Sequence, residues 1–136
     1  MELSRFTTAS GLAAMRFSDI RYMLDQTYWG PEYSDETIHR FLECSLDFGV
    51  FEKETGRQIA FARAVTDYTT LYYVSDVVVD PAFRRQGVGT LLMDTLTQHP
   101  ELKGMRGMLI TKDAQALYRK SGFQEYAATF MDRTEK

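Results

Sequence analysis

A mixed α/β domain is the fold class predicted for this chain, and three observations predict it. Its length of 136 residues suits one domain, since single domains usually run to about 100–200 residues. Segments with an apolar period of two alternate with segments of helical period, and no internal repeat, low-complexity tract or Gly/Ser/Pro-rich linker divides them. With 44% hydrophobic, 26% charged and 13% aromatic residues, the composition supplies both a core and a solvating shell, which excludes wholesale disorder and collagen-like structure.

The elements follow in order. Alternating apolar residues predict a short strand over residues 3–8, and Leu12, Met15, Ile20, Met23 and Leu24 recur at helical spacing over residues 10–26, as one or two helices. Gly30-Pro31 breaks that pattern. Ser34 then offers an N-cap to a helix reaching about residue 45, apolar at Ile38, Phe41 and Leu42. From Phe48 the period is two: residues 48–53 and 58–66 flank the turn 54–56, which predicts an antiparallel hairpin. A third strand over residues 70–79 is rich in Tyr and Val and stops at Asp80-Pro81, where proline removes a ladder donor. Val88, Leu91, Leu92 and Leu96 predict an amphipathic helix to about residue 99, ahead of Pro100. Residues 105–111 read as a buried strand, Asp113 as the cap of a short helix closed by Gly122, and residues 123–131 as the last strand.

Charge and cysteine usage narrow the chemistry. A net charge of −3 disfavours non-specific attraction to nucleic acid or anionic lipid. Residues 1–68 carry −4 and the remainder +1. The lone Cys44 cannot staple its own chain, and beside only His39 and His99 it offers no zinc-ligand spacing, so no metal is expected. No apolar run exceeds four residues, so neither a membrane span nor a secretory signal is expected, and the cytoplasm is the expected location.

The informative stretch runs Val77-Val78-Val79-Asp80-Pro81-Ala82-Phe83-Arg84-Arg85-Gln86-Gly87-Val88-Gly89-Thr90. A strand, a basic turn and a glycine-spaced helix start make an anion site, because free amides and the macrodipole at a helix N-terminus attract phosphate. A nucleotide P-loop is excluded, since no lysine follows the glycine pair. A dinucleotide fingerprint is excluded too, since Leu92 stands at the third glycine and no acid lies near Leu109.

What remains is Arg-x-x-Gly-x-Gly after a strand, formed by Arg84, Gly87 and Gly89. It resembles the signature of the GNAT superfamily of acyl-CoA-dependent N-acyltransferases. Residues 114–123, Ala-Gln-Ala-Leu-Tyr-Arg-Lys-Ser-Gly-Phe, are similar to that family's second landmark. The resemblance is strong over residues 74–123 and rests on element order alone before residue 45. It implies a mostly antiparallel central sheet flanked by helices and splayed between the fourth and fifth strands, with acetyl-CoA as acyl donor.

The resemblance also implies roles. Val77, Val78 and Val79 would present backbone groups to the pantetheine arm, with one amide polarising the thioester carbonyl. The diphosphate would rest on the amides of Gln86, Gly87, Val88, Gly89 and Thr90, near Arg84 and Arg85. Thr111 stands where many members carry an Asn that holds the pantetheine. Acyl transfer needs an acid for the leaving thiolate, and Tyr118 is the candidate, since a phenol near pKa 10 and a thiol near 8.5 are close enough for transfer. Packing against Ala114 would equally account for its place.

Asp76 is the candidate base, with Asp67 second; the plainer alternative for Asp76 is a carboxylate paired with a nearby Arg. The aromatic, acidic loop Tyr28-Trp29-Gly30-Pro31-Glu32-Tyr33 is the candidate acceptor site, Tyr28, Trp29 and Tyr33 offering cation–π faces and Glu32 charge. The expected reaction is acetyl transfer by direct attack of a primary amine, the expected partner a small cationic metabolite. A protein or peptide amine and a non-catalytic acyl-CoA-binding module stand as alternatives. A homodimer is an open option, because these residues do not fix the oligomeric state.

Overall fold

A computed structural model of the chain describes residues 3–135. Five strands lie in the order β1-β2-β3-β4-β5: β1 (Phe6–Ser10), β2 (Leu46–Glu52), β3 (Gln58–Thr66), β4 (Leu71–Val79) and β5 (Arg106–Met108). The first four pair antiparallel and β5 joins β4 in parallel, which is the mostly antiparallel sheet expected.

Helices cover both faces. On one side α3 (Val88–Thr97) buries Val88, Leu92, Met93 and Leu96 against Phe48, Val50, Ile59 and Val74. On the other, α1 (Phe17–Leu24) and α2 (Asp35–Cys44) enclose Ile20, Met23, Leu24, Ile38 and Leu42 with Phe61 and Val78. Ser34 caps α2 as expected, its hydroxyl accepting the Thr37 amide at 3.1 Å. A last short helix, α4 (Gln115–Arg119), packs beside α3.

Four expectations need correction. The first strand begins at Phe6, after a 3-10 turn over Leu3–Arg5. Asp113 does not cap α4; the Thr111 hydroxyl accepts the Ala114 amide at 3.0 Å instead, since it stands three residues ahead of that N–H. The strand read over 105–111 is three residues long with Arg106 and Met108 exposed, because it is bonded to β4 on one side alone among the described residues. Residues 123–131 form no strand, since among the described residues no strand makes a ladder with them.

Asp47 is an anomaly in this core. It sits in the apolar run of β2 opposite Arg63, fully buried, and neither carboxylate oxygen has a hydrogen-bond partner among the described residues. Burial pushes its carboxyl up to about 7, with Arg63 pulling the other way. An acid raised in the folded state holds its proton where the unfolded chain has already released it. Its favourable contribution is therefore complete below about pH 4 and declines as pH climbs towards 7. Asp47→Asn is expected to raise the melting temperature by roughly 5 °C at pH 8 and hardly at all at pH 4. Thermal unfolding at both pH values checks this, and an equal shift at the two would refute the linkage.

Candidate active site

The splay lies where expected. β4 and β5 are paired only as far as Tyr73 and Met108, and β4 continues to Val79 with the side facing β5 unpaired in the ladder. Across the sheet, Val78 and Val79 still pair with Phe61 and Ala60 of β3. The strand is thus held from one side while its other backbone edge stays available. Val77 and Val79 pack towards the α3 layer and Val78 towards the α1–α2 layer.

The turn after β4 is built by Asp80, which the motif reading passed over. Its buried carboxylate accepts the Ala82 amide at 2.9 Å and the Arg57 guanidinium at 2.7 Å, and Pro81 starts a 3-10 turn. Arg85 and Gly87 both take positive φ, 63° and 80°. This swings the chain so that Gly87 stands at the N-cap of α3 with no side-chain cap. The first amides of the helix are left for an external acceptor. They border a cavity of about 300 Å³ lined by Val79, Arg84, Arg85, Gly87, Val88, Gly89, Thr90, Leu117 and Lys120. Lys120 is a third cation there that the sequence reading did not single out. Gln86 turns away, accepting from Arg5 at 3.3 Å. A Cβ on Gly89 would stand 3.3 Å from Leu117 Cδ1, so its bare Cα lets α4 close on α3 as well as opening the helix start.

That closure positions Tyr118. Its half-buried ring meets Phe123 edge-on at 6.2 Å and packs against the main core, and its carbonyl accepts the amides of Ser121 and Phe123. Its hydroxyl has no protein hydrogen-bond partner among the described residues, and burial pushes the phenol up, so it stays protonated at neutral pH. Thr111 lies at the far end of the same segment; its oxygen serves the Ala114 amide, leaving its hydroxyl hydrogen to donate.

Trp29 and Tyr33 of the loop over residues 28–33 are tied to Asp76. Oδ1 accepts Trp29 Nε1–H at 2.8 Å and the Tyr33 hydroxyl at 3.0 Å; Oδ2 accepts Arg63 Nε at 2.7 Å and Ser75 Oγ at 3.3 Å. An ionised carboxylate offers about four lone-pair sites, and four donors use them. Asp76 therefore holds the loop against the sheet and has no free site for an amine proton. Its φ of 55° at the irregularity between β3 and β4 turns the side chain to that layer.

Asp67 is displaced further. Exposed in the turn between β3 and β4, it accepts the amides of Thr69, Thr70 and Leu71 and the Thr70 hydroxyl, which hold its carboxyl well below the usual range.

Arg63, missed in the sequence, completes the loop's anchorage. Its guanidinium lies 4.2 Å from the centre of the Phe41 ring and donates to Ser45 at 3.1 Å. Arg21 braces the loop from below, donating to the carbonyls of Gly30 at 2.9 Å and Tyr33 at 2.7 Å. Gly30 is required there, since a Cβ would fall 2.1 Å from the Leu24 carbonyl oxygen. Tyr28 is exposed, edge-on to Trp29 at 5.0 Å, with the Lys112 ammonium 4.8 Å from its ring centre. The loop's outermost aromatic thus meets the segment after β5. Glu32 is exposed on the loop's rim.

A mixed sheet that parts beside an uncapped, cation-flanked helix start defines an α/β domain with a basic cleft at the strand splay. The chain belongs to the acetyltransferase (GNAT) family, whose model matches residues 17–123. A Xanthomonas campestris protein described as belonging to the GNAT family has a crystal structure that superposes with a TM-score of 0.85 at 34% identity, over 96% of this chain and 93% of that one. GCN5-related N-acetyltransferase 1, chloroplastic, of Arabidopsis thaliana is 36% identical over 73 residues, 52% of this chain and 37% of that protein. The chain thus spans well under half of that relative. Glucosamine-6-phosphate N-acetyltransferase of Arabidopsis thaliana shares the fold, with a TM-score of 0.71 at 18% identity over 96% of this chain and 99% of that one. No helix among the described residues is long and apolar enough to cross a membrane.

Proposed function

We propose that this chain transfers the acetyl group of acetyl-CoA to the primary amine of a small cationic metabolite by direct attack. The observation that carries the reading is a convergence. The unpaired edge of β4, the free amides after Gly87 and the unpartnered Tyr118 hydroxyl all belong to segments packed around one splay. The residues suit the donor. Amides of residues 87–90 with Arg84, Arg85 and Lys120 fit a diphosphate, and the free β4 edge fits an amide-bearing arm. The bound thioester supplies the activated acyl group. A backbone amide of residues 77–79 polarises its carbonyl; as the amine nitrogen bonds to the acyl carbon and the carbon–sulfur bond breaks, Tyr118 gives its proton to the departing sulfur, and the proton that the nitrogen sheds on becoming an amide passes through solvent to restore the Tyr118 phenol.

Asp76 acts here as a positioning residue, and the acceptor attacks as its free amine. Trp29, Tyr33 and Tyr28 supply aromatic faces for a cation, and the net charge of −4 over residues 1–68 favours its approach. The test follows thiol release from acetyl-CoA across amines, amino acids and peptides. Release is expected with small cationic amines, and Asp76→Asn is expected to raise the acceptor KM about 10-fold with CoA affinity unchanged. Release with peptides alone would defeat the small-metabolite assignment. CoA binding without release on any amine would leave a binding module.

A further inference from the structure

Asp47 is a buried acid with no part in the reaction proposed above. Leu46 and Phe48 belong to the α3 layer, as do Ala62 and Ala64, so the period of two turns Asp47 and Arg63 to the opposite face, under α1 and α2. The two are partners in register, and side chains directly opposite on one face start about 5 Å apart. On its other side Arg63 pairs with Ser75, next to Asp76. One guanidinium thus stands between two carboxylates on flanking strands. It is committed to the second: Nε donates to Asp76 at 2.7 Å and Nη1 to Ser45 at 3.1 Å, while Nη2 makes no hydrogen bond among the described residues. Other titratable groups on the elements packed here are exposed or already paired. Beside Asp47 on the β1 side stands Gly11, whose amide donates to its carbonyl, and the 3-10 turn Leu12–Ala14 carries no titratable group. In α1, Asp19 is paired with Arg16, Arg21 with Asp25 and Asp35, and Tyr22 is exposed. Asp35, Glu36, His39, Arg40, Glu43 and Cys44 of α2 are exposed, and Tyr33 is bonded to Asp76.

We propose that Asp47 is a positioning residue for the loop over residues 28–33: protonated, it leaves Arg63 on Asp76 and the loop held; ionised, it draws Arg63 away and the loop slackens. Arg63 fixes the aim of Asp76 from Oδ2, and Trp29 and Tyr33 hang on Oδ1. A buried carboxylate that ionises without a partner is costly, and its nearest relief is the guanidinium already beside it. Arg63 turns towards β2 through its unused Nη2. Asp76 then loses its cation, and the two loop donors lose a fixed acceptor. Burial pushes the Asp47 carboxyl up to about 7, with Arg63 as the charge that pulls against it; the acid is protonated below that pH, where the loop is held, and ionised above it. The consequence for catalysis, a weaker grip on the acceptor at high pH, rests on the reaction proposed above.

Trp29 is the only tryptophan in the chain, so its fluorescence reports the loop without catalysis. In the full chain, acrylamide quenching of Trp29 is expected to rise about twofold between about pH 6 and pH 8 as the loop opens. It is expected to stay flat in Asp47→Asn, whose amide cannot ionise. That variant also separates Asp47 from His39, which stacks on Phe17 at 4.1 Å. In kinetics, the ratio of the wild-type to the Asp47→Asn acceptor KM cancels the acceptor's own titration; it is expected to grow about threefold over the same range with CoA affinity unchanged. Quenching that is flat in the wild type, or that rises equally in Asp47→Asn, overturns the proposal. A chain inert on every amine whose Trp29 still titrates through Asp47 supports it and defeats the proposed reaction. An active chain with flat quenching does the reverse.

Discussion

Replacing Tyr118 by Phe is expected to lower kcat about 100-fold while CoA affinity changes less than about threefold. The substitution removes one oxygen and keeps the ring, so the edge-on contact with Phe123 at 6.2 Å and the closure of α4 on Gly89 survive. The missing proton donor leaves a thiolate to depart unassisted. An ordinary phenol already sits above an ordinary thiol in pKa, so the transfer is uphill, and burial raises the Tyr118 phenol further. The cost is moderate beside the gain from neutralising a thiolate in a half-buried site. Because the folded phenol titrates above its ordinary value, wild-type turnover should not fall through loss of this proton anywhere between pH 6 and pH 9. Steady-state kinetics beside a CoA titration give both numbers. Unchanged turnover would reduce Tyr118 to a packing residue, the role its place beside Ala114 also accommodates.

The local parts of this site are legible in the sequence because each is a short contiguous signal. Glycines at fixed offsets after a valine-rich strand state a turn and an uncapped helix start, and the Asp80-Pro81 pair states where the strand stops. Asp76 is different. Its donors come from residues 29, 33, 63 and 75, so nothing in its own neighbourhood tells a free carboxylate from a saturated one. A signal did exist in Arg63, a cation inside an otherwise apolar strand, which must find a partner when buried. Asp47 in β2 is the same kind of signal, and opposite Arg63 it is left without a donor because Arg63 is committed to Asp76 and Ser45. Residues 123–131 fail for another reason. A period of two describes how a segment behaves beside a paired neighbour, and among the described residues no strand pairs with this one.

Placing valine at Gly87 is expected to weaken CoA binding by 100-fold or more. The backbone there has φ of 80°, a region that costs an ordinary L-residue about 1–2 kcal/mol and a β-branched one more. Arg85, two residues earlier, already occupies positive φ at 63°, so the turn has little room for a second strained residue. The chain relieves the strain by rotating the turn, which re-aims the amides of Val88, Gly89 and Thr90. Charge-assisted hydrogen bonds are worth about 1.5–3 kcal/mol each, so misdirecting two of them accounts for a loss of roughly 10²–10⁴ in affinity. Gly89→Ala separates cradle from scaffold, because its added Cβ meets Leu117 Cδ1 at 3.3 Å and pushes on the helix that carries Tyr118. It should therefore lower kcat more than it weakens CoA binding. Calorimetric titration of both variants, each shown to melt cooperatively, decides the matter. Wild-type affinity in a folded Gly87→Val would mean that main-chain hydrogens at this bend do not hold the diphosphate, and the donor would have to be anchored by Arg84, Arg85 and Lys120 alone.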